Sequence, residues 1–197
     1  MRFNAGGSER VRIISDGKVG IGTAAPDTLL DLQATGGADM LLLRTTGDTS
    51  GVLGAISFGN ANLDKYMAQI RVTQDGATDS AQLQLQTQAT GAGKLTRMTI
   101  KGDGNVGIGT TAPAYQLQIH ESTSGTNYVQ LTNSTTGSGS GDGLLVGVNA
   151  AEDAIFWNLE NTAARFATNG IERMRIDSAG NVGIGNAATS PSTKLTV

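Results

Sequence analysis

Apolar and polar residues alternate with a period of two along most of this chain. Arg97-Met98-Thr99-Ile100 and Met174-Arg175-Ile176 each put apolar side chains on one side and polar ones on the other. Such alternation predicts half-buried β-strands. The same pattern runs through Val52-Leu53-Gly54-Ala55-Ile56-Ser57-Phe58, where Val52, Gly54, Ile56 and Phe58 share one side. It recurs in Ala68-Gln69-Ile70-Arg71-Val72 and in Ala81-Gln82-Leu83-Gln84-Leu85-Gln86-Thr87. Met40-Leu41-Leu42-Leu43-Arg44 is a short apolar run. The second half adds Tyr128-Val129-Gln130-Leu131, Gly143-Leu144-Leu145-Val146-Gly147-Val148 and Ala154-Ile155-Phe156-Trp157-Asn158. Turn clusters such as Thr35-Gly36-Gly37, Gln74-Asp75-Gly76 and Asn169-Gly170 separate these runs. Ser138-Gly139-Ser140-Gly141-Asp142-Gly143 reads as an exposed loop, because strand patterning resumes at once. Helix potential is confined to short pieces such as Asn60 to Met67. The expected fold class is all-β.

One pattern occurs three times. Arg12-Ile13-Ile14-Ser15-Asp16-Gly17-Lys18-Val19-Gly20-Ile21-Gly22-Thr23 aligns with Thr99-Ile100-Lys101-Gly102-Asp103-Gly104-Asn105-Val106-Gly107-Ile108-Gly109-Thr110. It aligns again with Arg175-Ile176-Asp177-Ser178-Ala179-Gly180-Asn181-Val182-Gly183-Ile184-Gly185. Pro26, Pro113 and Pro191 follow, and then Leu30-Asp31-Leu32, Leu117-Gln118-Ile119 and Leu195-Thr196-Val197. Val19, Val106 and Val182 lie 87 and 76 residues apart. The expected organisation is a partial module at 1–33, a full module at 34–119 and another at 120–197, in a chain that continues a longer protein.

Each copy reads as a small hairpin. Asp-Gly, or Ala179-Gly180-Asn181 in the third copy, supplies the turn, because Gly accepts positive φ. Val106 and Ile108 then share one face of the return strand, and Gly107 and Gly109 the other. A face stripped to hydrogen permits close backbone approach. The Thr-x-x-Pro that follows ends the strand.

Composition changes the picture in one respect. The chain has 28 Gly, 24 Thr, 1 Trp, 3 Tyr and 4 Phe in 197 residues, so large side chains for a core are scarce. Ordering each residue costs on the order of 1–2 kcal/mol of backbone entropy. One hairpin offers only a few Val and Ile, each worth roughly 1.5–3 kcal/mol when buried. A hairpin alone is marginal in water, and its free edges invite pairing. Burial against copies of the same chain is the expected remedy, with cyclic symmetry. The absence of Cys excludes a disulfide scaffold, a thiol nucleophile and a cysteine metal site. A net charge of −3 argues against nucleic acid as a partner. No apolar run reaches the roughly 18 residues of a membrane helix, and no signal peptide is visible after Met1.

The strings Glu172-Arg173-Met174-Arg175-Ile176-Asp177-Ser178-Ala179-Gly180-Asn181-Val182-Gly183-Ile184-Gly185 and Lys194-Leu195-Thr196-Val197 resemble the repeated shaft modules of bacteriophage tail fibres. In such fibres these modules stand upstream of a self-cleaving intramolecular chaperone domain. Gly51 to Phe58 and Ala81 to Thr87 match more loosely. The resemblance covers nearly the whole chain, though no chaperone domain is present and Asn186-Ala187-Ala188-Thr189-Ser190 lengthens the approach to Pro191. It implies an elongated homotrimer in which three chains intertwine as a β-prism or β-helix. It also implies a place on the virion, contact with other tail or fibre proteins, and a host-surface glycan or protein as receptor.

Several strings invite a chemical reading and each has a structural one. Gly102-x-Gly104-x-x-Gly107 matches a dinucleotide fingerprint, but a strand follows it where a helix N-terminus is needed. Gly91-Ala92-Gly93-Lys94 lacks the first Gly and the Ser/Thr of a phosphate loop. His120, the only histidine, adjoins Glu121 and Ser122, which cannot converge with it in an extended chain; it reads as a strand-end residue. Asp16, Asp103 and Asp177 read as turn residues without calcium-ligand spacing. Arg12, Arg97, Arg173 and Arg175 precede these turns, so an Arg–Asp contact is expected. Asn133-Ser134-Thr135 matches a glycosylation acceptor without a function assigned to it. Glu152, Asp153 and Glu160 near Trp157 form the one carbohydrate candidate. Paired carboxylates can hydrolyse a glycosidic bond, and an indole can stack on a sugar.

The expected function is therefore a non-enzymatic structural shaft segment, with no cofactor and no metal. The alternatives are a carbohydrate-binding or polysaccharide-depolymerising module of a phage fibre, and a bacterial surface adhesin built from the same repeats.

Overall fold

The repeated hairpins close through three-residue turns. Gly17 N donates to Ile14 O (3.1 Å), Gly104 N to Lys101 O (2.9 Å) and Gly180 N to Asp177 O (3.0 Å). The three glycines have φ of 86°, 88° and 82°. This is a tight turn followed by a left-handed residue, one residue longer than a two-residue Asp-Gly loop. The aspartates brace it: Asp103 Oδ1 accepts Asn105 N–H (3.0 Å), and Asp177 Oδ1 accepts Ala179 and Asn181 N–H (2.9 and 2.8 Å).

The structure is a computed structural model that describes residues 1–34, 51–60, 64–76 and 79–185. Met40–Arg44, Thr35–Gly37 and Lys194–Val197 lie outside the described residues. Every regular element described is a strand, as expected of an all-β chain. The short helix considered at Asn60–Met67 is replaced, from Asp64 on, by strand. The chain divides into two units, Met1–Lys94 and Leu95–Val197.

In the first unit β1 (Arg2–Ala5), β2 (Ser8–Ile13), β3 (Val19–Ile21) and β4 (Leu30–Leu32) form a sheet in that order. β5 (Val52–Asn60), β6 (Asp64–Gln74) and β7 (Ala81–Gln88) form an antiparallel meander. β8 (Lys94–Ile100) opens the second unit and pairs antiparallel with β9 (Val106–Ile108), which pairs with β10 (Leu117–Ile119). β11 (Asn127–Leu131), β12 (Leu144–Val148) and β13 (Ala154–Asn158) form a three-stranded antiparallel sheet. β14 (Ala164–Thr168), β15 (Ile171–Ile176) and β16 (Val182–Ile184) form another.

The return strands hold an unexpected pairing. β4 lies parallel to β3, and β10 parallel to β9, with Val106↔Leu117 and Ile108↔Ile119 in register. The loop between them crosses the bare face of the hairpin, where glycine makes room. A Cβ on Gly107 would stand 2.4 Å from Thr110 O, and one on Gly20 would stand 2.5 Å from Thr23 O. Pro26 and Pro113 are buried beneath these crossings. The middle residue of the parallel strand fastens the loop: Asp31 Oδ2 accepts Asp27 N–H (3.2 Å) and Gln118 Oε1 accepts Ala114 N–H (2.9 Å).

The consequence is an inverted pattern of burial. Thr99, beside Gly107 on the bare face, is 0% exposed, whereas Leu117 on the aliphatic face is 60% exposed. In β7 the side chains of Gln84 and Gln86 are buried and those of Leu83 and Leu85 are exposed. In the β14–β16 sheet Gly183 is buried while Phe166, Ile176 and Ile184 are exposed. Apart from Pro26 and Pro113, no aliphatic or aromatic side chain among the described residues is buried. The aliphatic faces are assembled in register, and they are open.

The first and third copies share more than the aligned core. Arg2-Phe3, Gly7, Glu9-Arg10 and Arg12-Ile13 correspond to Arg165-Phe166, Gly170, Glu172-Arg173 and Arg175-Ile176. Both begin with a two-residue turn whose residues all have positive φ, 60° and 76° at Gly6-Gly7 and 51° and 71° at Asn169-Gly170. Both carry a bulge, opposite Phe3/Asn4 and Phe166/Ala167. The extra residue, Arg10 or Arg173, brings residues three apart onto one face. Arg12 thereby grips Glu9 with two parallel contacts (Nη2–Oε2 2.7 Å), and Arg175 grips Glu172 (Nη2–Oε2 2.8 Å). Hydrogen bonds from these guanidiniums hold the Glu9 and Glu172 carboxyls below their ordinary range. Arg12 and Arg175 thus pair with glutamates of their own strand, and Arg173 Nε donates to Thr168 Oγ1 (3.0 Å); Asp177 adds only a weaker through-space attraction to Arg175.

Candidate functional site

The four carbohydrate candidates lie along β13 and its two ends. Asn149 to Asp153 make the turn that leads into the strand. Asn149 N donates to Asp153 O (3.2 Å) and Glu152 N to Asn149 O (3.0 Å). Asn149 Oδ1 accepts Ala151 and Asp153 N–H, both at 2.9 Å, and Asn149 Nδ2 donates to Asp153 Oδ2 at 2.9 Å. The Asp153 carboxylate is thereby committed to its own turn. Glu152 takes the left-handed position that glycine fills in the repeated hairpins, with φ of 69°.

Glu160 lies past the other end of β13. Its Oε1 accepts Gly143 N–H at 2.7 Å, and Leu159 N donates to Gly143 O at 2.9 Å. Five strand residues separate Asp153 from the exit of β13, roughly 16 Å of chain. Two carboxyls that act on one glycosidic bond stand about 5–9.5 Å apart. Glu152 and Asp153 therefore do not converge with Glu160 across Trp157.

Trp157 points from the face of β13 opposite to Phe156. Its cross-strand neighbours are Leu145 and, beyond, Gln130. The indole is 55% exposed. Phe156, on the other face, meets Phe166 with ring centroids 6.0 Å apart.

Two open depressions flank this sheet. One of about 450 Å³ is lined by His120, Glu121, Asn127, Val148, Asn149 and Glu152. His120 follows β10 directly, is exposed, and donates its backbone N–H to Ile108 O (2.9 Å), so it is a strand-end residue. Glu121 Oε1 accepts the N–H and the hydroxyl of Thr123, both at 3.0 Å, which holds its carboxyl below the ordinary range. Asn127 Nδ2 donates to Ile119 O (2.8 Å). The other depression, about 340 Å³, lies against Leu131, Leu144, Phe156, Asn158 and Glu160. Among the described residues no group of three or more His, Asp or Glu is placed to hold a metal ion. Among them, too, no helix is long and apolar enough to cross a membrane.

Sequence reasoning missed two features here. The left-handed Glu152 carries no glycine signal. Glu160 serves Gly143, seventeen residues away. The strain at Glu152 is testable: a non-glycine residue in this conformation costs roughly 1–2 kcal/mol. Glu152→Gly is expected to raise stability by about 0.5–1 kcal/mol after glycine's own entropy is deducted, seen as a higher urea midpoint. An unchanged midpoint contradicts a strained turn.

Compared with models of known protein families and with curated proteins, the chain finds no match.

Proposed function

We propose that this chain is a non-enzymatic structural segment of a trimeric viral tail fibre, which carries or contributes to a host-surface receptor-binding end. One observation carries the reading: the aliphatic faces are aligned but open, and apart from Pro26 and Pro113 no aliphatic or aromatic side chain among the described residues is buried. A chain arranged in this way gains its hydrophobic stabilisation only when other surfaces cover those faces. Three copies of the hairpin motif in one chain fit a shaft, in which each module repeats the same lateral contact. The number of chains and the viral setting rest on the resemblance of the Glu172–Gly185 string to fibre shaft modules. The depressions beside β11–β13 are open, and the Glu121 and Glu160 carboxylates accept backbone N–H groups of their own surroundings, which suits a scaffold better than an enzyme.

Sedimentation of the purified chain with mass determination tests the reading. A species of three chains is expected, elongated in images of the particles. A stable monomer at micromolar concentration sinks it.

A further inference from the structure

The β11–β13 sheet differs from the other described sheets in being apolar on both faces. One face carries Val129, Leu131, Leu144, Val146, Val148 and Phe156; the other carries Tyr128, Leu145, Ile155 and Trp157. None of the fifteen residues in these strands is charged. In the repeated hairpins the second face is instead polar or bare, as with Arg12 and Gly20, Thr99 and Gly107, or Arg175 and Gly183. Antiparallel strands with one solvated face alternate, whereas strands covered on both faces read as continuous apolar runs. Leu144-Leu145-Val146-Gly147-Val148 and Ala154-Ile155-Phe156-Trp157 are such runs.

We propose that a second copy of this chain covers the Trp157 face of the β11–β13 sheet, so that Trp157 is an intersubunit contact and not an outward sugar platform. This rests on the assembly reading above and specifies which surface is used. Three observations select the occupant. The face lacks charge, as the centres of protein interfaces do. Its one amide side chain, Gln130, has its Nε2 already committed, donating to Gly139 O (2.7 Å) and Asp142 O (2.8 Å). A sugar needs several convergent charged or amide groups beside the aromatic ring, and apart from the Gln130 amide this face offers only the Tyr128 hydroxyl and the indole N–H. Finally, the same chain displays uncharged apolar surfaces of its own that can meet this face, at Ile56, Phe58 and Ile70 in the first unit and at Phe166 and Ile184 in the second.

Trp157 is the only tryptophan, so its fluorescence reports this face directly. In the assembled full-length chain the proposal expects blue-shifted emission and acrylamide quenching severalfold weaker than in the urea-dissociated chain. Leu145→Lys, which places a charge beside the indole, is expected to lower the sedimenting mass at concentrations where the wild type is assembled. An assembled particle whose Trp157 is quenched as readily as free indole overturns the proposal and leaves the fibre reading standing. So does shielding that appears only on adding lipid vesicles or a host glycan extract, or a Leu145→Lys chain that assembles like the wild type. A monomer, with Trp157 shielded or not, overturns both.

Discussion

Ile108→Asp is expected to abolish assembly at every concentration where the wild-type chain is multimeric. Ile108 stands in a continuous aliphatic face with Met98, Ile100, Val106, Leu117 and Ile119. In a single chain it is 42% exposed. A carboxylate there can keep its water, so within an isolated chain the substitution costs little, about 1 kcal/mol or less. In an assembly the same position meets its counterparts. Each copy then loses roughly 1.5–3 kcal/mol of isoleucine burial, and a desolvated, unpaired carboxylate adds several kcal/mol more. Like charges brought together worsen it. The two situations differ so widely that one sedimentation run separates them. Thr111→Asp places the same charge on the exposed crossing loop and is expected to leave the mass unchanged. An Ile108→Asp chain that assembles like the wild type contradicts the facing of β9.

The strands and their faces were legible because period-two alternation is a property of the backbone itself. Met98 and Ile100, Leu83 and Leu85, and Val106 and Ile108 lie on the faces that alternation gives them. What alternation does not say is which face the chain covers by itself. Ordinary one-sided sheets put Leu inward and Gln outward. Here Gln84, Gln86 and Thr99 are the covered ones, an inversion that the proposed sharing of burial between chains would account for. A single sequence holds no record of its neighbours. The parallel return strand was hidden for another reason. Leu117-Gln118-Ile119 is too short to announce a partner, and parallel pairs ordinarily need a crossover of a dozen or more residues. Here the crossing takes the eight residues from Gly109 to Gln116, because Gly107 lets the loop lie on the sheet.

The candidate site was legible only as a list of side chains. Trp157, Glu152, Asp153 and Glu160 are near in sequence, but a strand carries its two ends apart. The commitments of Asp153 to Asn149 and of Glu160 to Gly143 depend on turns whose geometry no local string specified. The Glu9–Arg12 and Glu172–Arg175 grips were hidden in the same way. Residues three apart on a regular strand face opposite sides, and only the bulge at Arg10 or Arg173 reunites them. The matching Arg-Phe and Glu-Arg-x-Arg-Ile strings were the signal, present in both copies, that the hairpin begins ten residues earlier than its aligned core.

Gly109→Ala is expected to destabilise the module by on the order of 3 kcal/mol or more per chain, through backbone geometry alone. Gly109 has φ of 76°, and its N–H donates to Arg97 O at 3.0 Å. A Cβ built there stands 2.1 Å from His120 O, a backbone atom that no rotamer change can move. The neighbouring backbone also holds the parallel pair, since His120 N donates to Ile108 O at 2.9 Å. Relief of the clash therefore pulls β10 from β9 and removes Leu117 and Ile119 from the aliphatic face. The first copy repeats the arrangement, with Gly22 at φ 79° and a Cβ 1.9 Å from Gln33 O. Gly104→Ala provides the contrast. Its φ of 88° carries the same left-handed strain, but nothing lies within 4 Å of its Cβ. Denaturant midpoints should thus fall for both variants, and distinctly further for Gly109→Ala. Equal losses would mean that the conformation of the glycine, and not the close approach of the crossing loop, fixes this position. A Gly109→Ala chain as stable as the wild type would refute the parallel β9–β10 pairing itself.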